Sequence, residues 1–181
     1  MHINAPINRD EAAKLRAGDI VEISGIIYTA RDAAHKRMCD TLKSGGELPF
    51  EIENAAIYYV GPCPCKEGEV IGSCGPTTSG RMDAYTPMLL DRGLCAMIGK
   101  GKRNDAVKKS IIKNSAVYLG AIGGAGALLA KHVVKSEVIA YDDLGTEAVR
   151  KLTVKNFPVT VIIDSLGNDL YEIGKNKYKV V

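Results

Sequence analysis

The feature that most constrains this chain is an alternation of short β-rich and helix-periodic stretches in its second half. Helical patterns over 78–92, 104–113 and 124–131 are separated by β-rich runs over 94–98, 116–119 and 133–140. Such alternation predicts an α/β protein with a partly parallel sheet and right-handed crossovers. Upstream, 21–30 (VEISGIIYTA) reads as a strand that runs into a helix over 31–43, with Ala34, Met38 and Leu42 as its buried stripe. A further β-rich stretch at 56–60 is broken by Gly61-Pro62-Cys63-Pro64 and resumes at 69–73, which predicts antiparallel strands with tight turns. Strands at 149–154 and 159–163 and a Leu166-Gly167-Asn168 turn into 169–173 predict a terminal hairpin. No repeat, low-complexity tract or long linker divides the chain, so one domain over 1–181 is expected.

Composition narrows the function classes. Hydrophobic residues at 46% and charged residues at 25% are ordinary for a globular core of this length. The net charge of +3 comes from 24 basic and 21 acidic residues in mixed runs, with no basic block interleaved with aromatics, so no nucleic-acid partner is expected. The weakly polar stretch 116–130 is too short to span a bilayer, so no membrane association is expected. The first six residues lack a basic region followed by an apolar one, which gives the expectation of a cytoplasmic protein without a signal peptide. Five cysteines, Cys39, Cys63, Cys65, Cys74 and Cys95, are odd in number and irregular in spacing, and read as free thiols.

Three segments carry candidate chemistry. In Gly75-Pro76-Thr77-Thr78-Ser79-Gly80-Arg81-Met82-Asp83 a hydroxyl-rich turn leads into the expected helix, whose first N–H groups favour an anion. Thr77 and Arg81 are four apart and can face one ligand, with the guanidinium suited to a carboxylate. On spacing alone the plainer reading, an N-cap by Thr78 or Ser79 followed by a surface arginine, is preferred. Around Arg31, Asp32 and His35 a strand ends and a helix begins, where open α/β sheets bind ligands; Asp32 in a first helical turn beside solvated Lys36 and Arg37 explains the same residues more plainly. Gly99-Lys100-Gly101-Lys102-Arg103-Asn104 offers a point charge at another strand end but lacks the spacing of a Walker loop. The glycine-rich run 119–126 fails the dinucleotide fingerprint because Leu129 stands where glycine or alanine is needed. Cys63-Pro64-Cys65 lacks the usual ligand spacing, so no metal site within the chain is expected.

Taken together, the segments Ala30-Arg31-Asp32-Ala33-Ala34-His35-Lys36-Arg37 and 75–83 resemble the β-type domain of class I fumarate hydratases, shared with L-tartrate dehydratase β subunits. Ile57-Tyr58-Tyr59-Val60-Gly61-Pro62, Gly99-Lys100-Gly101, the run 118–124 and Asp164-Ser165-Leu166-Gly167-Asn168 follow in the family's order, so the resemblance covers nearly the whole chain. It implies a swivelling β/β/α domain with a mixed sheet and flanking helices. It also implies a four-iron, four-sulfur (4Fe-4S) cluster held by a separate fumarate hydratase α subunit, in an αβ heteromer that dimerises further.

The implied reaction is reversible hydration of fumarate to L-malate at a shared site. By resemblance, Arg31, Arg81 and Lys100 bind the dicarboxylate and Thr77 is the proton-transfer residue at carbon. A threonine hydroxyl is a very poor base and needs activation by neighbouring charges. His35, Asp32 and Asp83 are expected to orient neighbours or cap helices. Tartrate dehydratase β subunits tend to carry cysteines around the first arginine and a methionine before the second; Ala30, Ala34 and Gly80 stand here, which favours fumarate. The alternatives are a tartrate or mesaconate hydro-lyase subunit, or a non-catalytic dicarboxylate-binding module.

Overall fold

The computed structural model describes residues 1–179; Val180 and Val181, which the expected domain includes, lie outside the described residues. Seven strands form one mixed sheet in the order β1-β2-β3-β4-β5-β7-β6, where β1 is His2–Ala5, β2 Ile20–Thr29, β3 Ala56–Tyr58, β4 Ala96–Gly99, β5 Val117–Gly120, β6 Val133–Ala140 and β7 Val149–Ile163. Strands β1 to β5 are mutually parallel, and β7 runs antiparallel to β2, β5 and β6. Because β7 pairs with both β2 and β5, the pairings β2-β3-β4-β5-β7 close on themselves. This is the α/β class, with a mixed sheet and flanking helices, that the alternating pattern predicts.

The period-2 pattern of the strands sorts side chains into two cores. Ile23, Ile27, Tyr58, Ile98, Leu119 and Leu152 enter one. Ile57, Met97 and Tyr118, their neighbours on the other face, enter the second. The first core is covered by α1 (Arg9–Ala12) and α5 (Gly126–Ala130), which bury Ala12 and Leu129 there, and the second by α2 (Asp32–Lys43), α3 (Thr86–Leu90) and α4 (Asp105–Lys113), which bury Met38, Leu89 and Ile111. Strands buried on both faces read as apolar runs rather than as strict alternation, which is the pattern of Ala56–Tyr58 and Ala96–Gly99.

Several local expectations fail for identifiable reasons. β3 lies parallel between β2 and β4, and 69–73 forms no strand; the chain instead leaves β3 in an extended loop that returns through the Cys63 N–H to the Ser73 carbonyl. The helix expected over 78–92 divides into a 3-10 turn, Ser79–Met82, and α3. The tail is not a hairpin. β7 continues through Pro158 because Asn156 takes φ 52° and its N–H bonds the Ser24 hydroxyl at 3.0 Å, absorbing a register shift against β2. After the Leu166–Asn168 turn, Asp169 caps Tyr171 N–H and starts α6 (Leu170–Tyr178).

Candidate active site

Parallel strands deliver their C-terminal ends to one edge of the sheet, and the loops leaving that edge carry the four candidate residues. Arg31 follows β2 and stands at the N-cap position of α2. Thr77 returns to the end of β3, where its N–H bonds the Tyr59 carbonyl at 2.8 Å. Lys100 directly follows β4 and pairs with Thr78 in an isolated parallel bridge. The glycine-rich loop after β5 completes the edge: a Cβ on Gly123 would stand 3.4 Å from Cδ and 3.6 Å from Nζ of Lys100.

Two short chains of contact tie these loops together. Asp32 Oδ1 accepts from Arg81 Nε at 2.8 Å, and Asp32 Oδ2 lies 3.9 Å from Arg31 Nε, so one carboxylate stands between the two guanidinium groups. Arg31 is also 3.4 Å from Glu147 through Nη2 and packs against Gly61. On the other side, the Ser79 N–H bonds the Lys100 carbonyl at 2.9 Å, which joins the Thr77 turn to the Lys100 loop. Arg31 and Thr77 are half-buried, whereas Arg81 and Lys100 are exposed. Among the described residues no hydrogen bond takes up the two terminal nitrogens of Arg81, and no carboxylate pairs with Lys100.

Beneath this surface lies a buried polar layer. The Arg103 side chain is fully buried between the rings of Tyr59 and Tyr118, with its guanidinium carbon 5.4 and 5.0 Å from their centroids. It donates to Asp83 Oδ1 at 2.6 Å and to Thr86 Oγ1 at 2.8 Å, and Asp83 Oδ2 accepts from the Asn104 N–H at 2.7 Å. The Tyr118 hydroxyl donates to the Gly101 carbonyl at 2.8 Å and lies 2.9 Å from Ser79 Oγ. Gly99 is required here, because a Cβ would fall on Ser79 Oγ. The layer therefore clamps the Thr77–Arg81 segment onto the Lys100 loop from below.

His35 is also fully buried, one turn into α2, with Nδ1 2.9 Å from the Arg31 carbonyl and its ring edge-on to Tyr59. Burial pushes its pKa down to about 4, with Arg103 adding to the effect, so it is neutral near pH 7. A neutral imidazole bonded to a carbonyl donates from Nδ1, which fixes the tautomer.

The geometry corrects the sequence reading locally. Thr77 and Arg81 do not share a helix, and Thr78 makes no side-chain cap, while Ser79 is turned inward to Tyr118. The buried roles of Arg103 and Tyr118 escaped the sequence reading, since no spacing rule marks an arginine beside an N-cap asparagine as buried. The arrangement offers two guanidinium groups and an ammonium on one open edge beside a hydroxyl. That set can hold a small molecule bearing more than one carboxylate and stabilise negative charge developing on it.

A family model described as Fumarase C-terminus matches residues 1–174. The chain is 40% identical over 159 residues to the anaerobic class I fumarate hydratase of Escherichia coli, covering 87% of this chain and 29% of that one. It is 38% identical over 176 residues to the mitochondrial fumarate hydratase 1 of Leishmania major, covering 95% and 32% respectively. It thus spans about a third of these longer relatives. A Methanocaldococcus jannaschii protein, whose name proposes an L(+)-tartrate dehydratase subunit beta, is 40% identical over 180 residues, which cover 96% of this chain and 92% of that protein. With a model match that runs through nearly all of its length and relatives of this identity, the chain belongs to the Fumarase C-terminus family.

Proposed function

We propose that this chain, as a single β-type domain, is the smaller subunit of a two-subunit, cytoplasmic hydro-lyase that hydrates fumarate reversibly to L-malate. The observation that carries the proposal is the meeting of Arg31, Thr77, Arg81 and Lys100, from three separate loops, on one sheet edge. The name of the Methanocaldococcus relative, which proposes a subunit beta and is matched over 92% of that protein, supports a two-subunit arrangement, with the remaining part of the enzyme supplied by an α subunit.

Hydration of fumarate adds a hydroxyl to one alkene carbon and a proton to the other, and negative charge passes onto a carboxylate in between. In this reading the free terminal fork of Arg81 grips one carboxylate through two parallel hydrogen bonds. Arg31 and Lys100, together with Arg81, hold the dicarboxylate and stabilise the charge that builds as the proton leaves or joins carbon. Thr77 holds its hydroxyl at that carbon, and the adjacent cations lower the cost of its transient loss of a proton.

The proposal includes a 4Fe-4S cluster that activates the hydroxyl as a Lewis acid when bound. Among the described residues no three His, Cys, Asp or Glu side chains group as a metal site. Cys39, Cys74 and Cys95 are buried in the cores and Cys63 and Cys65 are exposed. This chain's donors do not fit the cluster, which the proposal assigns to the α subunit; the roles above are those of this chain's own side chains.

L-Tartrate is a second reading, favoured by the name of the Methanocaldococcus relative. The deciding experiment is anaerobic hydration of fumarate by this chain alone and by the chain with a cluster-loaded α-type subunit. Activity in the pair only supports the shared site. A pair silent on fumarate but active on tartrate transfers the site to the second reading, and silence on both with mesaconate also inert removes the hydro-lyase assignment.

A further inference from the structure

β6 is a border of the sheet: it pairs with β7 alone, and among the described residues no strand meets its outer edge. Its surface is apolar at both ends of a charged centre. Val134, Val138 and Ile139 are 52, 41 and 36% exposed, while Lys135 and Glu137 are exposed between them. Register shifts against β7 fall between Val133 and Lys135 and between Val138 and Ala140, so a regular stretch over 135–138 is bracketed by two irregularities.

The order Val134-Lys135-Ser136-Glu137-Val138 reads symmetrically about Ser136. Two copies of a strand that pair antiparallel across a two-fold axis place each residue opposite the one equidistant on the far side of the axis. Centred on Ser136, that register sets Lys135 against Glu137 of the second copy, Glu137 against Lys135, and Val134 against Val138. Lys135 Nζ and Glu137 Oε1 are 3.1 Å apart within the chain, so both point to one face. Across the axis they would form an alternating square of four charges, with valines outside it and the small Ser136 on the axis, where two identical side chains must fit. Opposite charges and β-branched residues directly across a strand pair are the stabilising combinations.

Lysines and bulges are also the ordinary means by which an edge repels other strands. Repulsion, however, needs like charges to meet, and this order makes every charge meet its opposite. We propose that β6 is a homotypic docking edge through which two copies of this chain join their sheets antiparallel about Ser136. A contact of one strand pair belongs with small interfaces, below about 1,200 Å², so the dimer is reversible and depends on concentration. The proposal stands apart from the fumarate reading.

Sedimentation velocity of the full chain, from low to several hundred micromolar, reads it directly. The wild type is expected to shift from monomer to dimer across that range. Glu137→Lys and Lys135→Glu each replace exposed side chains, keep the circular dichroism spectrum, and set like charges across the axis, so each alone is expected to remain monomeric. Mixed in equal amounts they regain full complementarity and are expected to form the heterodimer. A wild type that stays monomeric throughout, single variants that dimerise as the wild type does, or a mixture that stays monomeric would each overturn the proposal.

Discussion

Nε of Arg81 donates to Oδ1 of Asp32 at 2.8 Å, so a carboxylate on the first turn of α2 sets the aim of an arginine on the turn that follows Thr77. The bond engages the inner nitrogen of Arg81 and, among the described residues, leaves the outer fork without a hydrogen bond. Asp32→Ala removes that tether, and a misplaced group near the reacting atoms costs on the order of ten- to a hundredfold in kcat/KM. Asp32→Asn keeps an acceptor at the same place and is expected to lose less. Steady-state fumarate hydration by the proposed αβ complex checks both.

Arg81 itself is half exposed and held by one partner, so its replacement disturbs the fold little. In the proposed αβ complex Arg81→Ala is expected to lower turnover by at least about a hundredfold, the scale for loss of one group that stabilises developing charge. Near-normal kinetics with an unchanged melting temperature would remove Arg81 from the site.

Arg103 behaves in the opposite way, because its charge is wholly buried against Asp83. Arg103→Met leaves the Asp83 carboxylate buried without its partner and is expected to cost about 3–5 kcal/mol of stability. Adding Asp83→Asn removes the stranded charge and is expected to recover part of that loss. Denaturant unfolding of the single and double variants measures the difference; equal stability of the two would contradict the ion-pair account.

The contrast between Arg81 and Arg103 also shows what a sequence carries. Strand β6 and helix α4 were legible because β-rich composition and helical periodicity are local signals. The α/β pattern places Arg31 and Lys100 at strand ends, where loops converge, but only the family resemblance singles them out as substrate-binding residues. Arg103 was not legible, since its burial depends on Tyr59 and Tyr118 arriving from two other strands. The tail misread for a similar reason: Pro158 and Asn156 look like breakers, but the bulge opposite Ser24 lets β7 bend and continue. The 69–73 stretch has strand-like composition but no place beside β3, which is already flanked by β2 and β4.

His35 predicts a pH dependence. Its pKa is about 4 in the folded chain against an ordinary 6.5, so between those values the unfolded chain binds the extra proton. Stability contributed by the neutral ring is therefore present above about pH 6.5, declines as pH falls, and is gone below about 4. The full change is about 3 kcal/mol. His35→Phe keeps the aromatic packing against Tyr59 and cannot titrate. The wild type minus variant difference in unfolding free energy is expected to fall with acidity over that window, and a flat difference would show that folding leaves the His35 pKa unshifted.

Gly61 tests whether the position of Arg31 matters, without touching Arg31. A Cβ at Gly61 would stand 2.8 Å from Arg31 Nη1 and 3.2 Å from its Cδ, and 3.1 Å from the Thr146 carbonyl. The backbone oxygen yields little, so the arginine must move. Gly61→Ala is expected to cost about 1–3 kcal/mol through overpacking, while the displaced guanidinium costs roughly ten- to a hundredfold in kcat/KM. Gly174→Ala, on α6 with open space around it, supplies the comparison: it adds a methyl to a helix and is expected to stabilise by about 0.5–1 kcal/mol with unchanged kinetics. If Gly61→Ala loses stability but retains full kcat/KM in the αβ complex, Arg31 does not bind the substrate, because a group in contact with a carboxylate cannot shift without cost.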